Sequence, residues 1–294
     1  MARPRVYLTA PVPAEVDAEL ARDFDLVDEP EGVDGIVSVL NAEIGAALLD
    51  RAGPQLRIVA NYAVGVNNVD LEAAASRGVV VSNTPGVLTR ATAELAIGLA
   101  LALLRRIAEG DRFVRRRAEW EFSIEFMLGQ SLEGKKLLVV GPGRIGRETA
   151  RLGEAFGAVV TFAGRDDDLH AALGESDVVS LHVPLTDATR HLIDAAALAA
   201  MRPSAILVNV ARGPVVDERA LVEALRAGTI GGAALDVYER EPEVEEGLLS
   251  LENVVLTPHL GSATRDTRVA MGMLCVDALR AVLLEGRRPA NAVG

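Results

Sequence analysis

Cysteine is almost missing from this chain, with Cys275 the only one among 294 residues. A single thiol forms no intrachain disulfide and no cysteine-based zinc site; no metal is expected, and a reducing, cytoplasmic setting is. Aromatic residues are scarce at 3%, while half the chain is hydrophobic. Ala, Val and Leu must therefore fill the core, which suits helices packed on a parallel sheet better than a β-sandwich. Lysine occurs only at positions 135 and 136, so 28 of the 30 basic residues are arginines. Those 30 stand against 42 acidic residues, a formal net charge of −12, which argues against nucleic acid or anionic membrane as the main partner. Long apolar runs are lacking too. Val6–Ala10 meets Pro11 and is too short for a secretory segment, and Leu95–Leu104 is too short to span a bilayer.

What is present is an alternation of short apolar runs with amphipathic segments. Strands are expected at Arg5–Ala10, Gly35–Leu40, Leu56–Tyr62 and Val79–Ser82, with helices at Ala14–Asp23, Ala42–Arg51 and Asp70–Arg77. Such spacing implies βαβ units and a parallel sheet. A long helix from Thr92 to about Arg116 follows, with Thr89 or Thr92 as its cap. After an irregular stretch around Trp120, strands are expected at Lys136–Val140, Val159–Phe162, Val178–His182, Ala205–Val210, Gly232–Leu235 and Val254–Leu256. Helices fall at Arg144–Phe156, Asp194–Met201 and Glu218–Ala227, and a last one at about Ser262–Glu285. The expected fold class is α/β, with two doubly wound parallel-sheet domains: residues 1–92 plus 266–294, and an inserted domain at 93–265.

Leu137–Val140 leads into Gly141-Pro142-Gly143-Arg144-Ile145-Gly146, a G-x-G-x-x-G turn between a strand and a helix. Gly141 permits the tight turn, Gly143 lets backbone approach a pyrophosphate, and Gly146 lets helix pack on strand. The N–H groups of Arg144 and Ile145 are then offered to the phosphates. Pro142 lacks an N–H and removes one donor. An acidic residue at the end of the next strand would bind the ribose 2′-hydroxyl of NAD. Val159–Ala163 ends instead in Gly164-Arg165, which favours the 2′-phosphate of NADP(H). Asp166, Asp167 and Asp168 follow, so NAD(H) stays the alternative.

Three strand ends of the second series carry polar groups: Asn209–Gly213, Asp236–Pro242 and Thr257–Ser262. In open α/β sheets ligands bind beyond such ends. Arg212 alone reads as a surface arginine and Glu241 as a loop acid; with His259, behind a dinucleotide turn, they read as a site. His170 is expected at the surface, His191 in a structural role, and His182 near the cofactor.

With these segments the chain resembles the D-isomer-specific 2-hydroxyacid dehydrogenase family nearly end to end. The likeness rests on Val64–Asp70, Ala91–Leu95, Gly141–Gly146, Leu181–Thr186, Asn209–Gly213, Leu235–Pro242 and Thr257–Thr264. Val64–Asp70, Trp120 and Gly164-Arg165 look most like its glyoxylate/hydroxypyruvate reductases. The resemblance implies a flavodoxin-like substrate domain and a Rossmann NAD(P)-binding domain. It implies that Arg212 grips the 2-oxoacid carboxylate and carbonyl, that His259 protonates the nascent alkoxide, and that Glu241 holds the imidazole in its charged form. It further implies cofactor contacts from Val183, Pro184, Val210 and Asp236, and substrate contacts from Val64, Gly65 and Ser262. A homodimer through the second domain is expected, Leu95–Leu104 being apolar on more than one face. D-lactate, phosphoglycerate, formate or phosphite chemistry on the same frame stays open, as does a dinucleotide-sensing binding protein.

Overall fold

The computed structural model describes residues 2–39 and 41–293, so Leu40, the end of the strand expected at Gly35–Leu40, lies outside the described residues. The chain divides into two compact units, residues 1–88 with 263–294, and residues 89–262.

The first unit runs β1 (Arg5–Leu8), α1 (Ala14–Asp23), β2 (Asp25–Val27), β3 (Gly35–Ser38), α2 (Ala46–Ala52), β4 (Ile58–Asn61), α3 (Leu71–Ser76) and β5 (Val80–Ser82). The five strands pair in parallel in the order β2-β1-β3-β4-β5. Every residue of β3 and β4 is buried, as a parallel sheet covered on both faces requires. One face carries Ile36, Ile44, Leu49, Val59 and Val81. On the other the final helix, Arg265–Leu283, lies close on β3: a Cβ at Gly35 would meet Leu279 at 2.8 Å. Its start is fixed by Thr264, whose hydroxyl accepts from Thr267 N–H. The helix expected from Ala42 starts at Ala46, because Ile44 bonds backbone-to-backbone with Asn68 and Asp70 instead.

The second unit runs α4 (Thr89–Leu104), α5 (Ile107–Arg115), β6 (Lys136–Val140), α6 (Arg144–Ala155), β7 (Val159–Ala163), α7 (Leu169–Glu175), β8 (Val178–Leu181), α8 (Ala195–Ala200), β9 (Ile206–Asn209), α9 (Glu218–Ala227), β10 (Gly232–Leu235), α10 (Glu246–Leu249) and β11 (Val254–Leu256). Six parallel strands order as β11-β10-β9-β8-β6-β7. Alternate residues of β6 serve opposite faces: Leu138 and Val140 pack with α7, α8 and α9, Leu137 and Val139 with α4 and α6. Helices α3, α7, α8 and α9 each begin on an aspartate, Asp70, Asp168, Asp194 and Asp217, that caps the N–H three residues on.

The single helix expected from Thr92 to Arg116 is two helices. Arg106 takes a left-handed φ of 54° between α4 and α5. The cause is non-local: Gln130 N–H takes the Leu104 carbonyl at 2.8 Å, and Gly129 sits so close that a Cβ would lie 2.5 Å from that oxygen. Thr92 caps nothing; its hydroxyl donates to Gly261 O at 3.0 Å. Leu95–Leu104 is packed against α6 and the sheet for most of its length, and the exposed apolar surface lies further on, at Ile107, Val114, Trp120, Phe122, Ile124 and Leu128. Among the described residues no helix is long and apolar enough to cross a membrane.

Candidate active site

The glycine turn joins β6 to α6 and is shaped by contact. Gly141 has φ +96°, and a Cβ there would press on the His182 carbonyl and on Val183 at 2.8–2.9 Å. A Cβ at Gly146 would overlap the Gly141 carbonyl, whereas one at Gly143 would meet nothing within 4 Å. The first backbone bond of α6 runs from Arg147 N–H to Gly143 O, so Arg144 and Ile145 N–H precede the helical ladder. Open space at Gly143, before two N–H groups that donate to no described residue and a positive helix end, fits a pyrophosphate. Val183 and Pro184 follow β8, and Val210 is buried at the end of β9.

Beyond β7 the acidic run is largely engaged with its own backbone. Asp167 Oδ2 accepts from Gly164 N–H at 2.7 Å, and Asp168 Oδ1 caps α7 through Ala171 N–H at 3.0 Å. Arg165 is exposed and makes no ion pair among the described residues.

At the ends of β9, β10 and β11 the structure brings Arg212, Asp236, Glu241 and His259 together within one unit. His259 Nδ1 lies 2.7 Å from Glu241 Oε2, and Glu241 Oε1 accepts from Tyr238 N–H at 3.0 Å, so the carboxylate is held at both oxygens. Burial pushes the Glu241 carboxyl up, but the His259 bond and charge, the Tyr238 N–H and the Arg212 charge outweigh it and set it below the usual value. Arg212 is half-buried. Desolvation lowers its guanidinium and the charge of Glu241 partly restores it. His259 itself has a left-handed φ of 54°. That backbone is braced by Asp236, whose carboxylate accepts from Thr257 Oγ1 (2.6 Å), Leu260 N–H (2.7 Å) and Gly261 N–H (2.8 Å).

Several contributors to this geometry escape a reading of the sequence. A Cβ at Gly213 would overlap the Tyr238 carbonyl, so the backbone after Arg212 lies directly against the loop that carries Glu241. A glycine directly after a candidate guanidinium was the one signal of it. The buried Glu218 accepts from Glu239 N–H at 2.8 Å, and the Glu239 side chain meets His191 Nε2 at 2.5 Å. His191, placed in a structural role by sequence, thus ties the turn before α8 to the β10 loop. His182 bonds Ser180 Oγ at 2.9 Å; burial pulls its imidazole down to about 4, so it is neutral. Ser262 is half-buried at the end of the second unit; Val64 and Gly65 belong to the first, in the loop after β4.

Comparison with known proteins places this geometry in a family. Residues 97–261 match the model of the D-isomer specific 2-hydroxyacid dehydrogenase, NAD binding domain. The glyoxylate reductase of Thermococcus litoralis is 42% identical, over 99% of this chain and 97% of that protein. A solved protein of Thermus thermophilus superposes with a TM-score of 0.92 at 42% identity, over 99% of this chain and 100% of the other. An NADPH-dependent glyoxylate/hydroxypyruvate reductase of Sinorhizobium meliloti, solved with NADP and malonate, gives a TM-score of 0.87 at 37% identity, over 100% of this chain and 97% of that one. The chain belongs to the D-isomer-specific 2-hydroxyacid dehydrogenase family and is an NAD(P)-dependent oxidoreductase acting on a CH–OH group.

Proposed function

We propose that the protein reduces a small 2-oxoacid, glyoxylate or hydroxypyruvate, to the D-2-hydroxyacid, with NADPH as the preferred cofactor. The observation that carries this reading is the 2.7 Å His259–Glu241 bond beside a half-buried Arg212, in the unit that also holds the glycine turn. Bound there, the nicotinamide cofactor supplies the hydride. His259 gives a proton to the carbonyl oxygen as it becomes an alkoxide, from Nε2, since Nδ1 is taken by Glu241. Glu241 fixes the ring and stabilises the imidazolium before transfer. Arg212 forks onto the carboxylate and polarises the carbonyl. Val64 and Gly65 offer backbone N–H groups to the carboxylate, and Ser262 lines the substrate's surroundings. Gly141, Gly143, Arg144, Ile145 and Gly146 hold the pyrophosphate, Gly164 and Arg165 the 2′-phosphate, and Val183, Pro184, Val210 and Asp236 the nicotinamide half. The names of the Thermococcus and Sinorhizobium relatives support this choice of substrate.

A homodimer through the second unit belongs to the same reading, because the exposed aromatic and aliphatic side chains at 107–128 call for a partner surface. The experiment for the reaction is NADPH oxidation by dialysed enzyme with glyoxylate, hydroxypyruvate, pyruvate and a bulky 2-oxoacid. Turnover highest on the first two is expected; none on any 2-oxoacid overturns the proposal.

A further inference from the structure

The loop after β4 divides its hydrogen bonds in an uneven way. Three consecutive carbonyls are held: Ala63 O accepts from Thr84 N–H (2.9 Å), Val64 O from Asn83 Nδ2 (2.8 Å) and Gly65 O from Asn61 Nδ2 (2.9 Å). The N–H groups that complete these peptides, on Val64, Gly65 and Val66, donate to no described residue. All three residues are half-buried, where an unmade backbone bond is costly. In a trans peptide the N–H points opposite to its C=O, so each held carbonyl fixes the direction of a free donor. A carbonyl that accepts a hydrogen bond also polarises its peptide and strengthens that donor. Free N–H groups of this kind are donors suited to an anion, and these lie past the carboxyl ends of β4 and β5, where ligands of open parallel sheets bind.

The two asparagines are themselves fixed. Asn61 is fully buried, and its Oδ1 accepts from Ser38 Oγ (2.9 Å) and Asn68 Nδ2 (3.1 Å), which leaves Nδ2 for Gly65. Asn83 is locked through its backbone: its N–H donates to Asn291 O (3.1 Å) and its carbonyl accepts from Asn291 Nδ2 (2.6 Å). Its side chain is therefore free of structural duty other than the bond to Val64.

We infer that Asn83 and Asn61 are positioning residues for the carboxylate of the substrate: Asn83 aims and polarises the Gly65 N–H already assigned to it, and Asn61 adds the Val66 N–H as a further donor beside those of Val64 and Gly65. This rests on the proposed reduction of a 2-oxoacid and adds to it the side chains that set carboxylate affinity. Asn83 is the one to test, because replacing it leaves both backbone bonds to Asn291 in place.

Asn83→Ala should raise KM for glyoxylate about tenfold, the scale of one charge-assisted bond, and leave kcat within about twofold. The inhibition constant of oxalate, an unreactive carboxylate, should rise in parallel, while NADPH affinity by fluorescence titration stays at the wild-type value. Asn83→Leu, matched in size but without a donor, gives the same reading if alanine lowers the melting temperature. Wild-type enzyme that reduces glyoxylate and binds oxalate, with Asn83→Ala or Asn83→Leu equal to it in both, overturns the inference and leaves the proposed reaction standing. A loss of kcat and of NADPH affinity along with KM also overturns it, since that marks general damage. Wild-type enzyme that neither reduces glyoxylate nor binds oxalate overturns the proposed reaction and the inference together.

Discussion

Gly213 follows Arg212 directly, and its missing side chain is what lets the Arg212 backbone lie against the Tyr238–Glu239 peptide. The same loop carries Glu241, so the glycine sets how far the guanidinium stands from the carboxylate. Gly213→Ala should push the two loops apart and cost about 1–3 kcal/mol of stability, read by urea unfolding, as overpacking does. Activity should fall further than that, because small displacements of reacting groups are costly. An active, equally stable alanine variant would show that the two loops are not spaced by this contact. Arg212, Glu241 and His259 were legible as residue types in their motifs. The brace beneath them was not: three donors converge on Asp236 from the loop after β11, and nothing local to Asp236 announces them.

At the level of elements, the loop between β7 and α7 carries the proposed preference for NADPH. Its sequence is ambiguous, with Arg165 beside three aspartates, because composition cannot tell which acids face the ribose. In the fold Asp167 caps Gly164 N–H and Asp168 caps α7, which supports the proposed preference. Arg165 at the strand end makes no ion pair among the described residues. Steady-state kinetics should therefore give a higher kcat/KM with NADPH than with NADH, a preference that Arg165→Ala erodes and rising salt weakens. Equal or better use of NADH by the wild type would mean that Asp166 faces the ribose instead. Within each unit many strands and helices were readable from apolar runs, and Ala14–Asp23, Lys136–Val140, Glu218–Ala227 and Gly232–Leu235 fall where the pattern puts them. The break between α4 and α5 was not readable, because the N–H that ends α4 comes from Gln130, far along the chain. Strand β2, three residues long, is too short to show a period.

For the molecule as a whole, the proposed dimer has two candidate surfaces, the Leu95–Leu104 stretch expected from the sequence and the bare apolar side chains that follow it. Leu95–Leu104 is apolar because it is wrapped by its own unit, while the side chains left bare are those of α5 and the stretch after it. Phe122 and Ile124 are 86% and 87% exposed, while Trp120 stacks on Phe126, which meets Phe113 edge-on. Exposed apolar side chains gathered in one stretch of chain support the proposed partner surface. Sedimentation at micromolar concentration should give twice the 31.0 kDa chain mass, and Phe122→Asp with Ile124→Asp should shift it toward one chain. A single-chain particle in the wild type would leave that surface without the partner proposed for it.

Proton delivery by His259 is the centre of the account, and comparison of His259→Ala with the wild type tests it most directly. The variant removes the proposed proton donor and leaves the residues of the glycine turn, Arg165 and the β7 loop unchanged. Its kcat for glyoxylate reduction should fall by at least about a hundredfold, while the dissociation constant for NADPH, read by fluorescence titration, stays unchanged. Turnover comparable to the wild type would contradict the assignment of His259 as the proton donor.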